Sequence, residues 1–459
     1  MGPVRVPSFR LSQTIERGIM NDHGIAILGS GMAGFGAAYR LHEQGVRGRI
    51  YEARNTPGGH TSTHFYDDGF TFDEGPHISF TRDTRLQDLL SGNIDGGYEV
   101  LKAYVNNYWR GHWIKHPAQI NLHGLPPDLV VACIKDFIAA NAVQKPVINN
   151  YEDWLHAAFG TTFARTFPME YTKKYHTTEA KNLTTDWLGP RLYRPTIEEV
   201  LLGALKPEPL DVHYVDQFRY PTNGGFAAYL KPFERLVDLQ CGYRATGIDL
   251  STQTLSFANG ETTPFTQLVS SVPLPRLISM IKDVPREVRD AAALLSCSQV
   301  VLVNIGINRP IETRAQWTYF YDDDICFARL SYPPHFSPAL APPGHGSIQA
   351  EVYFSEKWRP LRGAPEDWIE PTIDGLIQCG LVRGREEVIH RSVIFAPFAN
   401  VIFDQDRPKA LATVHGYLDE VGIRYCGRYG DWAYIWTDQA FKSGEKAAQA
   451  ALDHLAPGQ

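Results

Sequence analysis

Residues 24–59 read GIAILGSGMAGFGAAYRLHEQGVRGRIYEARNTPGG, and this stretch decides the fold. Ile25, Ala26, Ile27 and Leu28 form a short apolar run, the pattern of a parallel strand buried on both faces. Gly29, Gly31 and Gly34 follow with G-x-G-x-x-G spacing. The first allows a tight turn, the second close approach of backbone to a pyrophosphate, and the third packing of a helix on the strand. Met32 to Gln44 suits a helix, and Gly45 ends it with a residue that tolerates a left-handed cap. A second strand, Arg49-Ile50-Tyr51, then delivers Glu52, eighteen residues past Gly34, where a carboxylate accepts both ribose hydroxyls of an adenosine. The glycine spacing alone is weak, because Gly-rich turns are common. Strand, turn, helix, strand and acid in register make the stretch a dinucleotide site.

The 459 residues are 43% hydrophobic, enough for two or three cored domains. A net charge of −7 with no basic block argues against a general nucleic-acid or anionic-membrane binder. Cys133, Cys241, Cys297, Cys326, Cys379 and Cys426 are scattered without C-x-x-C or metal-ligand spacing, and read as reduced thiols of a cytoplasmic protein. No apolar run approaches the roughly 20 residues that cross a bilayer. Residues 1–19 carry Arg5, Arg10 and Arg17 without an apolar core and so are not read as a secretory signal; Met20-Asn21-Asp22-His23 directly before the first strand makes them either a disordered extension or the product of a start codon upstream of the true one.

Beyond Gly59, a hairpin is expected with Gly69 at its turn, followed by the loop Gly75-Pro76-His77. Two strand-like pieces flank Arg110-Gly111-His112, and Leu129 to Ala142 has helical spacing with Asp128 placed to cap it. Tyr151 to Phe167 reads as one amphipathic helix with Tyr151, Trp154, Leu155 and Phe159 on one side. Gln217 to Pro232 reads as a loop into a helix, and Ile248 to Ser271 as a small meander whose last strand, through Pro273, is structural. Strong strand signals at Val300–Ile307 and Ser347–Tyr353 predict a sheet.

Three features carry a resemblance. Ala53-Arg54 and Pro57-Gly58-Gly59 resemble the extension of flavoproteins of the glutathione reductase and amine oxidase type, which implies FAD and not NAD. His116–Asn121, Tyr171–Tyr175 and Trp187–Arg191 resemble, in order and spacing, segments of the UDP-galactopyranose mutases. Phe327–Ser331 with His335–Pro338, and Gly427–Tyr434 with Thr437–Ala440, are similar to further segments of that family. Tyr175-His176 stands where the family has Val-Trp, His116 where it has tyrosine, and Asp438 where its eukaryotic members have asparagine.

The resemblance implies an α/β fold: a Rossmann-type, glutathione reductase-like FAD-binding domain, a helical insertion and a mixed or antiparallel substrate-domain sheet. The expected division is 20–100, 218–295 and 412–459 for the FAD-binding domain, 101–217 for the insertion and 296–411 for the sheet. It places Gly29, Gly31, Met32, Ala33, Gly34, Glu52, Ala53, Arg54, Gly58, Gly59, His60, Arg428, Asp438, Gln439 and Ala440 at the cofactor. NAD(P)H is the candidate reductant. His77 lies beside the flavin ring, while Gln119, Arg191, Arg329 and Tyr434 meet a small-molecule substrate, a nucleotide-sugar, whose diphosphate calls for guanidinium groups. His77, Arg191 and Arg329 carry the catalytic roles. The implied reaction is a ring isomerisation through a reduced-flavin N5 adduct. Two other readings remain: a flavin oxidoreductase of the amine oxidase or protoporphyrinogen oxidase kind, and a flavin-bound scaffold without turnover.

Overall fold

In β1 (Asn21–Leu28), alternate side chains enter two different cores, which is why every residue of its apolar run is buried. Ile25 and Ile27 join Phe35, Phe233 and Phe441, while Ala26 and Leu28 join Leu268, Leu274 and Leu277. A computed structural model describes residues 21–143, 146–189, 192–210, 212 and 215–455; the expected extension at 1–19 lies outside them. β1 leads to α1 (Met32–Glu43) and then β2 (Val46–Glu52). These strands sit in a five-stranded parallel sheet ordered Arg424–Tyr425, Gln267–Ser270, β1, β2, Asp238–Cys241. The outer strands come from far along the chain, so the dinucleotide unit is completed by residues from its end.

The C-terminal helix Thr437–Leu455 packs along α1 so closely that side chains are excluded at two points. A Cβ on Gly36 would lie 2.1 Å from the Phe441 carbonyl oxygen, and one on Gly444 would lie 1.9 Å from that of Ala33. Small residues there let two backbones meet and carry the chain's last helix to the dinucleotide turn.

A seven-stranded mixed sheet forms the second layer: Val388–Ala396, Gln299–Ile307, Gly346–Phe354, Arg329–Ser331, Trp317–Phe320, Val105–Trp109 and His112–Lys115. The hairpin at 105–115, inside the stretch expected to be a helical insertion, therefore belongs to this sheet. Its remaining helices enclose their own core around Leu155, Phe159 and Phe167.

Three local expectations change. Tyr151 to Phe167 is two helices, Tyr151–Phe159 and Thr161–Thr166, because Gly160 at φ 78° turns the chain between them. Asp136 accepts from the Thr162 backbone N–H and hydroxyl at 2.9 and 2.6 Å and fixes the start of the second. Asp128 does not cap its helix: Pro127 opens it after Pro126, and Asp128 lies in the first turn without a side-chain cap bond. Gln217 to Pro221 is a strand paired with Tyr98–Lys102, not a loop.

Candidate active site

The turn after β1 bounds a cavity of about 430 Å³ at the C-terminal edge of the parallel sheet. The three glycines of the turn differ in their surroundings. Gly29 adopts φ 93°; Gly31 faces open space, with Gly58 O at 3.9 Å as the nearest atom to a Cβ there; a Cβ on Gly34 would strike Gly29 O at 1.9 Å. Glu52 reaches the wall from β2 and also braces the turn: Oε2 accepts from the Ser30 N–H at 2.9 Å and its hydroxyl at 2.6 Å, and Oε1 from the Arg54 N–H at 2.8 Å.

A second cavity of about 170 Å³ adjoins the first, and His60, His77, Arg428, Trp436 and Thr437 line both. Arg428 is held by the Ile435 carbonyl, receiving its Nη2 at 2.8 Å and Nε at 3.2 Å, with its Cζ 5.4 Å from the Tyr434 ring centroid. The Tyr434 and Tyr175 hydroxyls meet at 2.8 Å. Burial pushes the Tyr175 phenol well above its ordinary range.

On the sheet side, antiparallel register sets Arg329 opposite Glu351. Arg329 donates Nη2 at 2.7 Å and Nε at 2.9 Å to a carboxylate only 1% exposed, which also accepts from the Tyr353 hydroxyl at 2.5 Å. Burial works against the Arg329 cation, but the adjacent carboxylate holds it charged well beyond its ordinary range.

Burial lowers the His77 pKa to about 4, so its imidazole is neutral near pH 7. Its Nδ1 lies 2.9 Å from the Gly75 carbonyl oxygen, which accepts only. The proton therefore sits on Nδ1, and Nε2 keeps a lone pair. Nearby, Arg54 and His60 converge on Glu74 at 2.6 and 2.7 Å. Burial disfavours that carboxylate, yet hydrogen bonds from His60, His64 and Arg54 hold it well below its ordinary range.

Comparison with known proteins agrees with this architecture. The NAD(P)-binding Rossmann-like domain family matches residues 27–92. A reduced UDP-galactopyranose mutase superposes with a TM-score of 0.87 at 26% identity, covering 95% of this chain and 96% of that one. The chain is thus similar over its length to a UDP-galactopyranose mutase. Its fold is shared by the amine oxidase and protoporphyrinogen oxidase flavoenzymes: cyclohexylamine oxidase from Brevibacterium oxydans has a TM-score of 0.64 at 13% identity, covering 95% of this chain and 100% of that one. A protein from Exiguobacterium sp. assigned as a protoporphyrinogen oxidase gives 0.70 at 13%, covering 94% and 98%.

Of the residues named from the sequence, Gly29, Gly31, Met32, Ala33, Glu52, Ala53, Arg54, Gly58, Gly59, His60, Arg428 and Ala440 line the larger cavity, and His77, Arg329 and Tyr434 the smaller. Gly34 lies behind the wall as a packing residue. Three residues expected there lie elsewhere. Gln119 lines neither cavity and donates to the Tyr193 carbonyl at 2.9 Å; Asp438 and Gln439 also line neither, Gln439 accepting instead from the Trp436 N–H at 2.9 Å. Arg191 lies outside the described residues. Ser271, Val272 and Pro273, read from sequence as structural, line the larger cavity where their strand leaves the sheet beside β1. Tyr243, Arg276 and Phe398 do so too, and no local motif marks them.

Proposed function

We propose that the chain binds FAD in the larger cavity and acts on a nucleotide-sugar in the smaller, by the ring isomerisation of the mutases. The observation that carries this reading is the shared wall at His77, Arg428 and Trp436, where the first and last segments of the chain meet. The larger cavity fits the cofactor on its own geometry: the turn leaves no side chain at Gly31 or Gly34, the first amides of α1 supply donors for a diphosphate, and Glu52 stands on the wall. The candidate holding residues are those twelve that line it. When bound and reduced, a flavin supplies the nucleophile, and NAD(P)H is its candidate reductant.

The protein's own groups would then orient the substrate. Arg329 and Arg428 meet a departing diphosphate with guanidinium N–H groups, and Tyr434 with Tyr175 supplies phenol donors. His77 offers a neutral acceptor at Nε2 beside the junction. The aromatic walls exclude water, which strengthens each of these contacts.

One observation favours the oxidoreductase reading: Arg329 already has a carboxylate partner, and Tyr175, Trp317, Tyr319, Tyr353 and Tyr434 make the smaller cavity largely aromatic. Such a cage suits a substrate that gives up a hydride. The discriminating experiment is an anaerobic assay with UDP-galactose before and after dithionite or NAD(P)H reduction. Turnover only in the reduced protein supports the isomerase; peroxide release or dye reduction with an amine supports the oxidase; a colourless protein that flavin cannot reconstitute ends both.

A further inference from the structure

Arg407 opens the helix Arg407–Glu420, lines neither cavity and is 8% exposed. Two of its N–H groups converge on one carbonyl, that of Trp432, from Nε at 3.1 Å and Nη2 at 2.6 Å. Its Nη1 donates to Asp186 at 3.2 Å, and the flat guanidinium lies over Phe403, 4.1 Å from the ring centroid. Trp432 is fully buried at φ 47°, a left-handed conformation uncommon for a bulky residue. That conformation turns the chain between Arg428 and Tyr434, both on the wall of the smaller cavity.

The other end of the contact has the same bearing. Asp186 precedes Trp187, whose ring centroid lies 6.5 Å from that of Tyr434. One guanidinium thus ties together the two loops that bring Trp187 and Tyr434 side by side. The cofactor side of the loop has separate supports: Ser443 Oγ accepts from the Gly427 N–H at 2.9 Å and donates to Asp431 at 2.6 Å.

We propose that Arg407 is a positioning residue for substrate: from outside both cavities it fixes Tyr434 against the leaving diphosphate, while cofactor retention is independent of it. This rests on the nucleotide-sugar reading above. A lysine cannot replace it, because an ammonium is a point donor that lacks the planar fork needed to serve Trp432 and Asp186 together.

The test compares the flavin-loaded parent with Arg407→Met and Arg407→Lys. Flavin content is read from the absorbance spectrum, affinity from titration with UDP, and exposure of the 429–437 loop from limited proteolysis. Both variants should hold parental flavin, bind UDP at least tenfold more weakly and be cut faster in that loop. Asp186→Asn, which weakens one of three contacts, should fall between. Unchanged UDP affinity in Arg407→Lys, or loss of flavin in parallel with UDP affinity, overturns the proposal. A parent that binds flavin but no UDP overturns the nucleotide-sugar reading instead; an unchanged cleavage rate then still refutes Arg407 as the loop's anchor.

Discussion

Arg329 and Glu351 face each other across neighbouring strands, and a buried pair of this kind responds more to loss of one partner than of both. Arg329→Met leaves a carboxylate that is 1% exposed with, among the described residues, the Tyr353 hydroxyl as its remaining side-chain donor, and should lower unfolding free energy by roughly 3 kcal/mol. Adding Glu351→Gln should recover most of that loss; additive losses in urea unfolding would refute the pairing. In the folded single variant, affinity for a nucleotide-sugar should also fall by roughly 2 kcal/mol at unchanged flavin content. His176 gives a pH signature. It is 3% exposed, its Nδ1 has no partner among the described residues, and burial lowers its pKa to about 4 from 6.5. Between those values the unfolded chain binds the proton more readily, so stability falls as pH drops through that window, by up to roughly 3 kcal/mol from this residue. His176→Phe should flatten the dependence of the urea midpoint between pH 6.5 and pH 4, and a curve as steep as the parent's would rule the residue out. The Glu74 contribution runs the same way but in a lower window: its carboxylate is held below 4.5, so the stabilisation disappears as pH falls beneath that value.

Among the elements, Gly160 is the sharpest test of the corrected helix boundary. At φ 78° an alanine is strained, and its Cβ would lie 2.4 Å from the Asp136 carbonyl carbon. Gly160→Ala should cost roughly 3 kcal/mol or more, read as a lower urea midpoint, whereas in one continuous helix the same change would stabilise. The sequence hides this break because the apolar spacing of Tyr151, Leu155 and Phe159 runs on to Phe163 and Phe167. The hairpin at 105–115 is similarly opaque, since its partner strand Trp317–Phe320 lies some two hundred residues away. By contrast, β1, α1, β2 and the meander at 245–264 are legible, because their periodicity and turn glycines act over a few neighbouring residues.

For the whole molecule, the larger cavity is walled by residues from β1 at one end of the chain and the helix Thr437–Leu455 at the other, so a ligand there ties distant segments together. If FAD fills it, removing the flavin should destabilise the protein by roughly 3 kcal/mol relative to protein with free flavin at about a hundred times the dissociation constant. Thermal melts of stripped, reconstituted and untreated protein check this, and coincident melts would refute flavin binding in the cavity. No helix among the described residues is long and apolar enough to cross a membrane. The six cysteines are free thiols, with Cys133, Cys379 and Cys426 buried.

By itself the sequence determined the dinucleotide turn, since steric demand at Gly29, Gly31 and Gly34 is local and a carboxylate at Glu52 follows from strand length. It also named part of the larger cavity's wall, Glu52, Arg54 and Arg428 among it. Tertiary structure alone decided that Arg329 is paired with Glu351, that Gln119 turns away to Tyr193, and that Ser271, Tyr243 and Arg276 face the same space. Those outcomes depend on strand register and on which loops cross at the sheet edge, and register is set by the packing of whole faces rather than by any short run of residues.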